Sequence, residues 1–159
     1  MDFRISGLPA EPFVPFFAMT DAALLTHGAR RVVARVEDAP LMPPCRVSLR
    51  DARPGETSIL LHFPHHPAAA SPYRASGPIF VREGVSETAS FVNHVPDQQR
   101  TRLLSVRAYD AAGMMVDADV QEGTDLEAVI ARMFRRGDAA YLHAHNARRG
   151  CYSCRIDRA

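Results

Sequence analysis

Nine segments with the apolar or alternating character of strands, at residues 3–8, 30–36, 45–49, 57–63, 78–82, 103–109, 114–120, 140–145 and 152–156, follow one another along this chain across mostly short connections. A parallel crossover needs about a dozen residues or more, so strands spaced this closely are forced to pair largely antiparallel. Only two helices interrupt them. Thr124-Asp125-Leu126-Glu127 has the form of a capping box, followed by an apolar stripe of Leu126, Val129, Ile130, Met133 and Phe134 that Gly137 ends. A shorter helix is expected to start at Thr20, with Met19 and Leu24 as a hydrophobic staple and Gly28 as its terminator. The expectation is an α+β fold, a largely antiparallel sheet with two short helices packed as layers in a single domain over residues 1–159.

The hairpin around Gly113 can be read to the level of register. If residues 111–113 form a three-residue loop with Gly113 left-handed, Asp110 faces Met114 and every further pair sums to the same number. Leu104 then faces Val120, Val106 faces Ala118 and Ala108 faces Val116 on an apolar side, while Arg107 faces Asp117 and Ser105 faces Asp119 on a polar one.

Charge narrows the partners. A net charge of +1 with 23% charged residues gives no footprint for nucleic acid or anionic lipid, and no apolar run reaches the length of a membrane span. Residues 1–5 do not begin a secretory signal, and an odd count of three cysteines argues against a disulfide framework, so a soluble cytoplasmic chain is expected. The sequence leaves its oligomeric state open. All 19 basic residues are arginine, which excludes a lysine Schiff base, a pyridoxal anchor and a phosphate loop ending in Gly-Lys. Nor is there a Gly-x-Gly-x-x-Gly, His-Glu-x-x-His or Gly-x-Ser-x-Gly.

The densest concentration of reactive groups is His143-Ala144-His145 followed by Cys151-Tyr152-Ser153-Cys154. Four readings stay open for it. Both imidazoles point one way from a strand and both thiols can meet at a turn, which gives a tetrahedral set of His143, His145, Cys151 and Cys154 suited to Zn²⁺. Cys151 and Cys154 could instead cycle as a dithiol, although too few residues follow for the helix such motifs use. Cys151 could be a nucleophile activated by His145. Lastly, the thiols could simply pack as small hydrophobes.

Two other regions carry candidates. Residues 64–77 lack any period and offer Tyr73 and Arg74 to a ligand. In the hairpin, Asp119 is freer than Asp117, and Arg107, Tyr109, Asp119 and His143 share a floor if the strand of His143 pairs beside it. His62, His65 and His66, at a strand end running into that loop, read as surface histidines.

The segments Pro44-Cys45-Arg46-Val47-Ser48-Leu49, Pro72-Tyr73-Arg74-Ala75-Ser76-Gly77-Pro78-Ile79-Phe80-Val81-Arg82, Leu104-Ser105-Val106-Arg107-Ala108-Tyr109-Asp110 and His145-Asn146-Ala147-Arg148-Arg149-Gly150-Cys151-Tyr152 resemble the bacterial domain-of-unknown-function family numbered 1203. The resemblance covers essentially the whole chain and implies one small bacterial cytosolic domain, with no activity to carry over. From the residues, the expected function is binding of a small anionic ligand in a pocket lined by Tyr73, Arg74, Arg107, Tyr109 and Asp119. The alternative is a metal- or thiol-dependent enzyme in which Cys151 and His145 do the chemistry.

Overall fold

The computed structural model describes residues 2–159. Its strands are β1 (Phe3–Ser6), β2 (Arg30–Val33), β3 (Thr57–His66), β4 (Ala75–Arg82), β5 (Ser90–Val92), β6 (Leu103–Tyr109), β7 (Met115–Glu122), β8 (Tyr141–Asn146) and β9 (Tyr152–Arg158). They form two sheets, a larger one ordered β5-β1-β9-β8-β6-β7 and a smaller one ordered β2-β3-β4, and all the pairs are antiparallel. The short helices are α1 (Val14–Phe17), α2 (Asp21–Thr26), α3 (Asp97–Arg100) and α4 (Leu126–Phe134). The fold is therefore α+β, as the spacing of the strands requires. No helix among the described residues is long and apolar enough to cross a membrane.

Each sheet has its own apolar core. Against the larger sheet, α4 buries Leu126, Val129, Ile130, Met133 and Phe134 onto Leu104, Val106, Ala108, Leu142, Ala144, Cys154 and Ile156. Each large side chain removed from water there contributes about 1.5–3 kcal/mol. Against the smaller sheet, Phe13 and Leu24 pack on Ile59, Leu61, Ile79 and Val81 together with Cys45 and Val47.

The Thr20 cap forms, its Oγ1 accepting from the Ala23 amide at 3.2 Å. The capping box at Thr124 does not. Residues Gly123–Asp125 wind into a 3₁₀ turn and no side chain caps α4. The chain enters that turn pressed against α3, where a Cβ on Gly123 would fall 1.9 Å from the Gln99 carbonyl oxygen. Thr124 lies inside the 3₁₀ turn, so it does not hold the extended conformation a capping threonine needs. The strand expected at 45–49 is likewise replaced by a turn held through two isolated bridges, Pro44 to Asp51 and Cys45 to Phe80.

The hairpin keeps its turn, with Gly113 at φ +79 and the Asp110 amide donating to the Met114 carbonyl, but its register differs from the expected one. A bulge between Ala108 and Tyr109 shifts the pairs by one, so that Ser105 faces Val120, Arg107 faces Ala118 and Ala108 faces Asp117. The slip turns Asp117 and Asp119 to the helix side, where Arg132 of α4 meets them at 3.5 and 2.5 Å. That pair of ion contacts replaces the expected Arg107–Asp117 pairing.

Candidate functional site

The face of the larger sheet that does not meet α4 is built by strand alternation. Across β6 and β8, Ser105 faces His145, Arg107 faces His143 and Tyr109 faces Tyr141. Cross-strand partners share a face, so these six side chains stand together. On β9 a register shift beside His145 skips Ser153, which pairs His145 with Tyr152 while Ala144 stays opposite Cys154. The bulge thus turns Tyr152 to the polar face and keeps Cys154 in the core.

The third histidine comes from the smaller sheet. Strand β3 does not stop at Phe63 but continues to His66 through a second register shift. Its partner β2 covers only Thr57 to Leu60, so the missing amide hydrogen of Pro64 breaks no pairing with β2. The end of β3 lies against the polar face. The His65 ring stacks on Tyr152 at 5.0 Å and approaches His145 at 5.3 Å and His143 at 6.4 Å.

One ligand-capable nitrogen from each of His65, His143 and His145 lies within 4.8 Å of the others. His143 and His145 are each 2% exposed, and His65 is half-buried. Each ring has a buried nitrogen without a hydrogen-bond partner: Nδ1 of His65, Nδ1 of His143 and Nε2 of His145. The other nitrogen of His145 explains its orientation. Nδ1 faces the Gly150 carbonyl at 3.2 Å, and a carbonyl can only accept, so Nδ1 carries the proton and Nε2 keeps its lone pair. Gly150, at φ +76, supplies that carbonyl from the turn between β8 and β9.

Burial first, and then neighbouring positive groups, hold all three imidazoles neutral: His65 is lowered to about 4, His145 to about 3 and His143 to about 2. Three neutral imidazoles with ligand-capable nitrogens this close together form a nitrogen donor set of the kind that takes Zn²⁺ and its first-row neighbours.

Around this set stands a shell of aromatic rings. His143 meets Tyr152 at 5.1 Å, His66 at 5.2 Å, Tyr109 at 5.3 Å and Tyr141 at 5.4 Å. His66 donates from Nδ1 to the Tyr73 carbonyl and accepts at Nε2 from the Tyr141 hydroxyl, both at 2.8 Å. It is fully partnered and belongs to the wall. Burial pushes the Tyr109, Tyr141 and Tyr152 phenols up, which keeps them protonated donors.

The other candidate residues fall in different places. Cys154 is fully buried among Ala144, Ile156 and the α4 side chains, and burial pushes its thiol up to about 12. It lies on the opposite face of the sheet from His143 and His145, so the nitrogen-and-sulfur set expected from the hairpin alone is not what these strands assemble. The Cys151 sulfur meets Nη2 of the buried Arg46 at 3.2 Å and Nδ2 of Asn146 at 3.6 Å. Asp119 sits on the helix side with Arg132 and not on the shared floor, whereas Arg107, Tyr109 and His143 do share it. Tyr73 contributes its carbonyl to the wall, its side chain being 40% exposed, and the exposed Arg74 side chain makes no hydrogen bond or ion pair among the described residues. Two surface cavities, of about 570 and 330 Å³, are lined by residues between Ser48 and Thr101 and include none of the three histidines.

His65 and His66, which the sequence suggests as surface groups, are the histidines that β3 brings against His143 and His145. Two consecutive histidines at the end of a strand are the signal for them, but β3 runs on through Pro64 to His66 instead of ending at Phe63.

The model of the family described as "Protein of unknown function (DUF1203)" matches residues 42–158. No curated protein and no solved structure matches the chain.

Proposed function

The chain belongs to the DUF1203 family, and we propose that its function rests on a divalent transition-metal centre of the Zn²⁺ type held by His65, His143 and His145. The observation that carries this reading is the convergence of three neutral imidazoles, each with an unpartnered buried nitrogen, within 4.8 Å. Leaving three buried nitrogens without a bond costs roughly 1–3 kcal/mol each. A metal ion recovers that cost in one step, and one hydrogen-bond partner alone would not. The arrangement has the second-sphere support that metal-bound histidines use, because the Gly150 carbonyl fixes the His145 ring and its tautomer.

Three protein ligands on a four-coordinate ion leave one position open, the pattern of reactive rather than purely structural sites. The anion-binding reading of Arg107 and Tyr109 remains compatible with this centre, since both stand on its floor. The cysteines take no part in it.

The test is metal titration of untagged protein purified without chelator or metal column, followed by elemental analysis. About one equivalent of Zn²⁺ or Co²⁺ per chain is expected. His65→Ala, His143→Ala and His145→Ala should each weaken binding by about tenfold or more, while Cys151→Ser keeps it. Stoichiometric binding that survives all three histidine changes, or no binding by the folded wild type, would overturn the reading.

A further inference from the structure

Charge at the centre is unbalanced, and the imbalance identifies a ligand. Three neutral imidazoles leave the full double charge of a divalent ion in place. The carboxylates that could offset it are engaged elsewhere. Asp117 and Asp119 face Arg132 on the far side of the sheet, Asp157 is bound by Arg155 at 2.7 Å, and the Asp110 carboxylate accepts from the amides of Ala112 and Met114 at 2.9 Å each. The fixed charges acting on His65 and His145 are instead positive, those of Arg107 and Arg46.

The two arginines differ in what they have left to give. Arg46 is 1% exposed and spent: its Nε donates to the Tyr152 carbonyl at 2.5 Å, its Nη1 to the Pro44 carbonyl and its Nη2 to Cys151. Arg107 stands directly opposite His143 on the neighbouring strand, half-buried, and takes part in no ion pair among the described residues. Its neighbour on that face is the Tyr109 hydroxyl. A guanidinium beside a metal ion, with no anion between them, would be two like charges held in a largely dry site.

We propose that the open position of the three-histidine centre takes a small carboxylate-class oxyanion, held by the metal on one side and by the Arg107 guanidinium on the other. This rests on the metal reading above. The planar fork of arginine matches two oxygens of one carboxylate, which a lysine or a lone amide would not. Size follows from burial. His143 and His145 are 2% exposed, which suits a ligand with the dimensions of acetate or bicarbonate rather than of a nucleotide. Tyr109, only 3% exposed and on the same strand face as Arg107, offers a hydroxyl beside the same oxygens.

The experiment uses the full chain loaded with Co²⁺, whose visible spectrum reports a change of ligand, titrated with acetate and with azide. Wild type is expected to give a saturable spectral change with both anions. Arg107→Met should bind Co²⁺ with unchanged stoichiometry but weaken acetate by about tenfold or more, the loss typical of a charged hydrogen-bonding partner, and Arg107→Lys should restore only part of it. Failure of wild type to bind Co²⁺ would remove the metal reading and this one with it. Co²⁺ binding with no response to either anion would overturn this inference and leave the metal reading standing. A response to azide without acetate would overturn the carboxylate class, and equal acetate affinity in wild type and Arg107→Met would overturn the role of Arg107.

Discussion

Ser153 decides what its neighbours do. Skipped in the pairing of β8 with β9, it lets Tyr152 face the histidines while Cys154 faces α4, and its own hydroxyl accepts from Nε2 of the buried Gln99 at 2.9 Å. Cys154, enclosed by apolar side chains and with its thiol pushed up to about 12, is a packing group. Cys154→Ser should cost about 1–3 kcal/mol in urea unfolding, because a hydroxyl replaces a sulfur in an apolar site. The thiol of Cys154 should react with iodoacetamide only as fast as the chain opens. Rapid alkylation of Cys154 in the folded protein, or a neutral serine substitution, would contradict that placement.

At the scale of elements, the turn that leads into β3 is clamped by one carboxylate. Glu56 accepts from Arg50 at 2.8 and 3.1 Å and from the Arg53 amide at 2.7 Å, and the Arg50 guanidinium is the first cause that holds it down to about 2 from 4.5. The unfolded chain takes up this proton near pH 4.5 and the folded chain only near pH 2. The clamp's contribution is thus complete above about pH 4.5 and is lost as pH falls toward 2. Glu56→Gln should lower Tm at pH 7 and flatten its fall between pH 4.5 and 2, and a parallel pH profile for the variant would show that the clamp does not form in solution. The elements themselves were largely legible in the sequence. The stripe of α4, the Thr20 cap, the Gly113 turn and eight of the strands' approximate positions follow from periodicity and turn chemistry. The bulges were not legible. One beside Tyr109 moved Asp119 to the helix side, one beyond Phe63 carried His65 to the site, and one at Ser153 turned Tyr152 to the face opposite Cys154. A bulge has no strong residue signature, since it is chosen by what the opposite strand and the next layer require. Half of the site, His143 and His145 with Arg107 and Tyr109 beside them, was readable because it obeys plain alternation. The third histidine, His65, depends on contact between two sheets, which no local pattern encodes.

For the molecule as a whole, polar groups cross from one sheet to the other. Arg46 takes its place from the smaller sheet, its amide donating to the Phe80 carbonyl at 2.9 Å, and reaches across to the Tyr152 carbonyl of the larger. His65 crosses the same boundary toward His143 and His145. A metal bound by all three would fasten one sheet to the other, and it would bind the folded chain in preference to the unfolded one. At free Zn²⁺ a thousandfold above Kd the gain is about 4 kcal/mol, which for a chain of this size amounts to roughly 10 °C in Tm. His65→Ala should abolish most of that rise at the same zinc concentration while changing the metal-free Tm much less, as scanning calorimetry with and without zinc would read.

The distribution of those three ligands has a further consequence, in time. His65 belongs to a strand made early in the chain, and His143 and His145 to the penultimate strand. Contacts so distant in sequence pay their loop-closure entropy late, so the chain can present one imidazole, and later two, long before it presents three. A metal arriving during synthesis would meet only partial, weak sites, and its tight capture marks the moment at which the last layer of the protein closes.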